Sequence, residues 1–146
     1  MIHIDFVCTG NICRSPMAET IVRQKLIDAS LADHVRVTSS GIGGWHVGNP
    51  ADERALAELS AAGYDGSAHR AQQFGGEQMD ADLIVALATR HVSELVAQGV
   101  PEDKIRLLRS FDPSAPENAS VEDPYYDGPE GFTVTREQIE AAADGI

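Results

Sequence analysis

Short apolar runs alternate with amphipathic segments along the whole chain. Two of these runs, IHIDFV at 2–7 and DLIVAL at 82–87, have the length and composition of strands buried inside a sheet. Two further segments, HVRVTSS at 34–40 and KIRLLRSF at 104–111, have the mixture of apolar and polar positions that is typical of strands. The pattern therefore predicts four β-strands within the first 111 residues.

A segment with helical spacing follows each predicted strand. The first helix is predicted to begin at Ser15, a typical N-cap residue, with Pro16 at the first helical position. The other helices are predicted at 51–62, 89–98 and about 133–143. Strands that alternate with helices through right-handed crossovers predict an α/β fold, with a doubly wound, four-stranded parallel sheet and helices on both faces (flavodoxin-like). No repeat or linker interrupts the pattern, so a single domain is expected over residues 1–146.

Composition and charge narrow the range of functions. The chain carries 23 acidic and 11 basic side chains, which gives a formal net charge of −12. Nucleic acid and anionic membranes require clustered Lys and Arg, so neither is an expected partner. The sequence has no apolar run of membrane-spanning length and no export signal, which predicts a cytoplasmic protein. Two cysteines and scattered histidines give no metal-ligand spacing, so no metal and no other cofactor is expected.

The loop after the first predicted strand, CTGNICRSPMAE at 8–19, contains both cysteines of the chain. A loop between a parallel strand and a helix N-terminus directs several backbone N–H groups at one spot, where the helix dipole favours an anion. Gly10 and Asn11 tolerate the left-handed backbone that such a nest requires, and Arg14 can grip two oxygens of a phosphate. These surroundings favour the thiolate of Cys8. The loop is therefore predicted to hold a phosphate above a nucleophile.

The residues CTGNICRSPMAE resemble the signature of the low-molecular-weight protein tyrosine phosphatases. The segments SSGIGGWHVG at 39–48, ADERA at 51–55, HRA at 69–71 and DPYY at 123–126 are similar to later motifs of that family, in the same order and at fitting distances. The likeness covers nearly the whole chain and is greatest to bacterial members with a tryptophan–histidine pair. It implies a phosphoric monoester hydrolase that acts on phosphotyrosine and on small aryl phosphates.

The resemblance also implies the catalytic residues. Cys8 would take the phosphoryl group as a cysteinyl phosphate, while Arg14 and the loop amides hold its three equatorial oxygens. Asp123 would protonate the leaving phenolate and then activate the water that hydrolyses the intermediate. Ser15 would donate a hydrogen bond to the Cys8 sulfur in addition to capping the helix. Outside the family context, Asp123 before Pro124 is also compatible with a simple turn.

The remaining site residues are implied in the same way. The phosphate-binding loop also comprises Thr9, Gly10, Asn11, Ile12 and Cys13. Ser39 and His69 are expected to support Asn11 through hydrogen bonds. Aromatic walls around a flat phenyl ring are expected from Trp45, His46, Tyr125 and Tyr126. Considered alone, Trp45 is also compatible with a core position and His69 with an ordinary surface or capping position.

Cys13 suggests redox sensitivity. A sulfenate formed on Cys8 could be captured by the neighbouring thiol of Cys13 as a reversible disulfide, which would protect it from further oxidation. The alternative is that Cys13 is a small apolar residue buried behind the loop.

The sequence departs from the family pattern at three positions. An acidic residue and, three positions later, an asparagine usually follow the third strand, where this chain has Ala88 and His91. Ile42 replaces a usual threonine in the glycine-rich loop. The first two departures leave open which hydrogen bonds form beside the site.

Three other functions share part of these sequence features with phosphotyrosine hydrolysis. Thioredoxin-linked arsenate reductases share the loop but need later cysteines, and none follows Cys13. Protein-arginine phosphatases typically have a threonine where this sequence has Ile12, whose bulk suits an aryl ring better than a guanidinium. A non-catalytic phosphate-binding module would lack a chemical group, whereas Cys8, Arg14 and Asp123 are all present.

The expected partners are tyrosine-phosphorylated proteins and a tyrosine kinase, and the expected state is a monomer.

Overall fold

All neighbouring strands of the sheet run parallel. The computed structural model describes residues 2–122 and 129–145. The strands are β1 (Ile2–Cys8), β2 (Val35–Gly41), β3 (Leu83–Ala86) and β4 (Ile105–Leu107), in the spatial order β2-β1-β3-β4. Because β1 pairs with strands on both sides, its polar groups are shielded from water, and five of its seven residues are buried. The four predicted strands and their parallel arrangement are confirmed.

Helices cover both faces of the sheet. They are α1 (Arg14–Asp28), α2 (Glu53–Ala61), α3 (Thr89–Ala97) and α4 (Pro129–Ala143). The helices α1, α2 and α4 share one core with alternate residues of β1, including Phe6. On the opposite face Leu95 of α3 packs in a second core with Val7. The doubly wound α/β fold is thus confirmed, and each face of the sheet buries its own apolar cluster. None of these four helices, as far as the chain is described, is long and apolar enough to cross a membrane.

Two elements differ in extent from their prediction. The strand β4 ends at Leu107 rather than at 111, because residues Leu108–Phe111 form a short 3-10 helix. Leu108 is fully buried in this turn, and the Ser110 hydroxyl donates to the Leu107 carbonyl at 2.6 Å. The apolar residues of this segment thus serve a turn as well as a strand. The helix α4 begins at Pro129 rather than near 133, and proline suits a first helical position.

The carboxyl ends of the central strands meet at one edge of the sheet. The N–H of Ile42, just after β2, donates to the Cys8 carbonyl at 2.9 Å, and the N–H of Leu87, just after β3, donates to the Val7 carbonyl at 3.0 Å. The loops that follow β1, β2 and β3 are therefore fixed beside each other, which is where a parallel sheet places its ligands.

A carboxyl group is buried in the middle of the sheet. Asp5 of β1 is fully buried and accepts hydrogen bonds from the hydroxyls of Thr38 at 2.6 Å and Ser40 at 2.7 Å. Burial raises the pKa of Asp5 to about 6, an effect that the two hydroxyls, which lower it, do not cancel. The fold therefore stabilises the protonated carboxyl relative to the carboxylate.

This burial predicts a pH-dependent stability. Because the pKa of Asp5 is raised in the folded state, its contribution is fully present below the ordinary value of 3.8 and is lost as the pH rises through about 6. In Asp5→Asn this loss is absent, so the free energy of unfolding of the variant relative to wild type should rise by about 3 kcal/mol between about pH 4 and about pH 8. Urea unfolding at both pH values measures it. The exposed control Asp33→Asn should show no such rise, and a flat difference for Asp5→Asn would contradict the account.

Candidate active site

The carbonyl groups of the loop after β1 face away from its concave side. Those of Cys8 and Thr9 accept hydrogen bonds from the N–H groups of Ile42 and Gly43, each at 2.9 Å. This approach requires glycine at position 41, because a Cβ on Gly41 would lie 2.9 Å from two backbone atoms of the loop. The glycine-rich segment after β2 is thus the outer support of the loop.

Two more carbonyls of the loop are held from outside. The Asn11 carbonyl accepts from His69 Nε2 at 2.7 Å, and the Ile12 carbonyl accepts from the Asp52 N–H at 2.8 Å. A trans peptide points its C=O and the following N–H in opposite directions, and none of the described peptide bonds is cis. The concave side therefore receives the N–H groups of Thr9, Gly10, Ile12 and Cys13. Such converging N–H groups form a site for an anion.

Asn11 holds the loop from within. Its backbone has the expected left-handed conformation, with φ 59°. Its buried side-chain amide donates to the Ser15 hydroxyl at 2.7 Å and the Ser39 hydroxyl at 3.0 Å, and accepts from the Gln72 N–H at 2.9 Å. Gly10, which could tolerate the same conformation, does not have it. Instead, a Cβ on Gly10 would lie 3.0 Å from the His46 ring, so glycine here makes room for that histidine.

Glu19 and Gln72 support this network and were not predicted. The Ser39 hydroxyl donates to Glu19, whose carboxylate lies 3.9 Å from His69 Nδ1, and the Gln72 side chain donates to the Ser39 carbonyl at 2.9 Å. Burial is the main cause that lowers the pKa of His69, and the bond to the Asn11 carbonyl opposes it. Glu19 follows Ser15 by one helical turn, and this spacing is the signal that could have identified it.

The Cys8 sulfur lies at the end of β1, only 2% exposed as a residue. Its Sγ is 2.9 Å from the Ser15 hydroxyl and accepts the Ser15 N–H at 3.4 Å. Asn11 donates to that hydroxyl, whose own hydrogen faces two acceptors, the Cys8 sulfur at 2.9 Å and the Ser40 carbonyl at 3.4 Å, and the sulfur is the nearer one. The prediction that Ser15 caps α1 is wrong: the helix begins at Arg14, no side chain caps it, and the Ser15 hydroxyl is directed at Cys8 instead.

The Arg14 guanidinium is buried beside the same loop. Arg14 is 2% exposed, its Nη1 donates to the Val121 carbonyl at 3.0 Å, and its Nη2 donates to the Thr9 hydroxyl at 3.1 Å. Two fixed acceptors on different segments thus define the position of this planar cation. It brings a positive charge to the loop in a strongly acidic protein.

The glycine-rich segment presents aromatic residues beside the loop. Trp45 is 73% exposed, so the core position is excluded, and its ring occupies the space that a side chain on Gly43 would need. His46 lies against Gly10. The predicted Asp123, Tyr125 and Tyr126 lie outside the described residues.

The β3–α3 junction brings two further residues to the loop. His91 Nε2 lies 3.0 Å from the Thr9 hydroxyl, and Arg90 Nη2 donates to the same hydroxyl at 3.0 Å. Neither was assigned to the site from the sequence. Burial, together with the charges of Arg14 and Arg90, lowers the pKa of His91 to about 3.

Both cysteines are buried, and no disulfide joins them. Across residues 2–122 and 129–145, no group of three or more His, Cys, Asp or Glu side chains could hold a metal ion. The chemistry available to the described site is therefore that of a sulfur nucleophile beside an anion-binding loop and a guanidinium.

Known proteins resemble this chain in sequence along nearly its whole length. The family model described as low molecular weight phosphotyrosine protein phosphatase matches residues 3–146. The chain belongs to this family. Low molecular weight protein-tyrosine phosphatase A of Mycobacterium tuberculosis is 51% identical over 146 residues, which is 99% of this chain and 89% of the relative. The predicted family is thus confirmed, and with it the general activity of a hydrolase acting on phosphomonoesters.

Solved structures extend the likeness to the whole fold of the low molecular weight phosphatases. The crystal structure of YfkJ from Bacillus subtilis is 32% identical, with a TM-score of 0.92 over 99% of this chain and 91% of that chain. The crystal structure of a Drosophila arginine phosphatase is 30% identical, with a TM-score of 0.88 over 97% of this chain and 93% of that chain. The fold alone therefore does not decide between phosphotyrosine and phosphoarginine as the substrate.

Substitution of Asn11 tests the support of the loop in this family member. Asn11→Gly keeps the left-handed backbone but removes three hydrogen bonds, and should lower the free energy of unfolding by about 2–4 kcal/mol. Asn11→Ala should lose about 1 kcal/mol more, because alanine is strained at φ 59°. Both variants should bind inorganic phosphate more weakly. Urea unfolding and calorimetric titration with phosphate measure the two effects.

The matched control is Asn118, which is exposed and has φ 58°. Asn118→Ala should show the backbone strain alone and leave phosphate binding unchanged. Equal phosphate affinity in Asn11→Gly and wild type would contradict the role of this network.

Proposed function

We propose that this protein is a protein tyrosine phosphatase that hydrolyses phosphotyrosine through a cysteinyl phosphate on Cys8. The observation that carries the proposal is the position of the Cys8 sulfur, at the end of β1 and beside a loop whose N–H groups converge on one side. An anion-binding loop by itself only binds phosphate. A sulfur nucleophile at its base makes displacement at phosphorus the reaction that this geometry supports best.

In the first step the Cys8 thiolate attacks phosphorus, and the bond from phosphorus to the phenolic oxygen breaks. The converging N–H groups and the Arg14 guanidinium stabilise the charge on the three equatorial oxygens. The fixed contacts of Arg14 with Thr9 and Val121 support this role, because a preorganised cation needs no reorientation as charge develops.

The leaving phenolate takes its proton from Asp123, whose assignment rests on the resemblance of DPYY to the family motif. The contacts of the preceding residues support it. The Val121 N–H donates to the Leu87 carbonyl at 2.7 Å, and the Thr89 N–H donates to the Ser120 hydroxyl at 3.0 Å. The chain two residues before Asp123 is therefore fixed beside Arg14, within reach of the loop.

In the second step water attacks phosphorus, and the bond from sulfur to phosphorus breaks. Asp123, now a carboxylate, takes the proton of the water, and the electron pair of the breaking bond returns to Cys8. The Ser15 hydroxyl, 2.9 Å from that sulfur, can donate a hydrogen bond to the departing thiolate. Inorganic phosphate leaves and the free enzyme is restored.

The selectivity for an aryl phosphate is proposed to come from the walls of the loop. Trp45, exposed beside the loop, and His46, against Gly10, are placed to contact a phenyl ring. Tyr125 and Tyr126 are proposed as the opposite wall from the resemblance alone. Ile12 is partly buried and packs against the core, which leaves an apolar surface where arginine phosphatases typically have a threonine.

The proposal also covers the oligomeric state, the location, the partners and the redox behaviour of the protein. Residues 1–146 would act as one monomeric domain in the cytoplasm, on tyrosine-phosphorylated proteins and in opposition to a tyrosine kinase. A sulfenate formed on Cys8 would be captured by the Cys13 thiol as a disulfide, with release of water, which would protect the Cys8 sulfur from further oxidation. The support for the last step is that the buried Cys13 belongs to the same loop as Cys8.

Two substitutions test the chemistry. Cys8→Ser should reduce hydrolysis of p-nitrophenyl phosphate below detection, because a neutral hydroxyl replaces the thiolate nucleophile. Asp123→Asn should lower kcat by about 10²–10⁴-fold, the range expected for loss of a general acid. Glu122→Gln, a neighbouring carboxylate outside the motif, is the matched control and should retain activity. Full turnover by Cys8→Ser would end the proposal.

The substrate class is tested with three peptides that differ only in the phosphorylated residue. Phosphotyrosine should be hydrolysed with the highest kcat/KM, and phosphoserine and phosphoarginine should be poor substrates. Preference for phosphoarginine would instead place this chain with the arginine phosphatases. Binding of all three peptides without turnover would indicate a phosphate-binding module.

A further inference from the structure

The junction between β3 and α3 contains a buried imidazole that the proposed chemistry does not use. His91, in the first turn of α3, is 1% exposed. Its Nδ1 accepts the N–H of Ala88 at 3.1 Å, so this nitrogen carries no hydrogen. In a neutral ring the hydrogen is then on Nε2, which lies 3.0 Å from the Thr9 hydroxyl and donates to it.

Burial and two neighbouring cations favour the neutral form of the His91 ring. It is buried, and the guanidinium groups of Arg14 and Arg90 both contact the same Thr9 hydroxyl. A third positive charge at this point would be repelled by both, and these charges add to the burial that lowers the pKa of His91. One tautomer with one pair of hydrogen-bond partners is the consequence throughout the neutral range.

The hydroxyl that His91 contacts is also a contact of Arg14. Arg14 Nη2 donates to the Thr9 oxygen at 3.1 Å, and Nη1 donates to the Val121 carbonyl at 3.0 Å. Val121 is itself held by the Leu87 carbonyl, immediately after β3. The Val121 carbonyl and the Thr9 hydroxyl therefore both depend on the β3–α3 junction, the first through Leu87 and the second through His91.

We propose that His91 is a positioning residue for phosphate binding: its Nε2–H fixes the Thr9 hydroxyl, which together with the Val121 carbonyl fixes the plane of the Arg14 guanidinium. The inference rests on the proposed function, because it assumes that Arg14 grips the phosphate. It also gives a role to His91, one of the three positions at which this chain departs from the family pattern. The Thr9 oxygen has two lone pairs for three nearby donors. The buried His91 and Arg14 occupy them, whereas the exposed Arg90 side chain can exchange this contact for water.

The competing explanation is that His91 only caps α3. The two roles use different ring nitrogens, because Nδ1 contacts the Ala88 N–H and Nε2 contacts Thr9. An asparagine side chain reaches about as far as Nδ1 and a glutamine side chain about as far as Nε2. His91→Asn should therefore keep the cap and lose Thr9, whereas His91→Gln should keep the donor to Thr9 and weaken the cap.

The experiment compares both variants with wild type by turnover of p-nitrophenyl phosphate, by inhibition with inorganic phosphate and by thermal melting. For His91→Asn we expect kcat/KM to fall by about tenfold and the inhibition constant of phosphate to rise by about as much, the effect of weakening one bond to a charged group. His91→Gln should stay within about threefold of wild type in both constants while melting at a lower temperature. If His91 were only a cap, His91→Asn would keep the wild-type kcat/KM and inhibition constant, and His91→Gln would be the more impaired variant in both.

Thr9→Val provides a test that leaves α3 intact, because Thr9 lies outside every described helix. It should weaken phosphate inhibition by about tenfold, and adding His91→Asn to it should change the constant little further, since both remove the same bond. Unchanged phosphate inhibition in Thr9→Val, or fully additive losses in the double variant, would overturn the proposal. Failure of the proposed function would be visible separately, as absent turnover in wild type.

Discussion

The orientation of a few peptide groups after β1 determines what this site can do. Four carbonyls of the loop are drawn outwards by donors from three other segments, and the intervening N–H groups are thereby turned inwards. The left-handed Asn11, with its side-chain amide fully hydrogen-bonded, closes this arrangement from within. A loop with its carbonyls inwards would repel phosphate. The anion-binding conformation of the loop therefore depends on its packing against the segments after β2 and α2, rather than on the loop alone.

Local geometry prevails here over the overall charge. A formal charge of −12 repels an anionic substrate at long range, but screening by salt limits that field to about 10 Å at ordinary ionic strength. Within the site the substrate meets directed N–H groups and the buried Arg14, where the interaction is strongest. Short-range contacts also surround the Cys8 sulfur, which lies beside the Ser15 hydroxyl and the Ser15 N–H. Acidity of the surface and phosphate chemistry at the loop are thus compatible.

The sequence predicted what depends on local periodicity and on the family motif. Short apolar runs were sufficient to predict the four strands, because strands buried in a parallel sheet are apolar on both faces. Their alternation with helices was sufficient to predict the parallel arrangement. The apolar pattern was insufficient where one apolar residue can serve two structures, as at Leu108, which is buried in a turn rather than a strand. Ser15 was misassigned as a cap because capping and sulfur binding favour the same residue type. The contact of His91 with Thr9 joins residues 82 positions apart, and no pattern along the chain records such an approach.

The central claim is that the phosphoryl group passes through the Cys8 sulfur. Its most direct test is to mix enzyme with p-nitrophenyl phosphate, quench within milliseconds at a pH that preserves the phosphorus–sulfur bond, and locate the added phosphoryl group by mass spectrometry of the peptides. The account predicts one phosphoryl group, on Cys8, accumulating further when Asp123 is changed to asparagine and water attack is slowed. A phosphoryl group on any other residue, or none during active turnover, would contradict it.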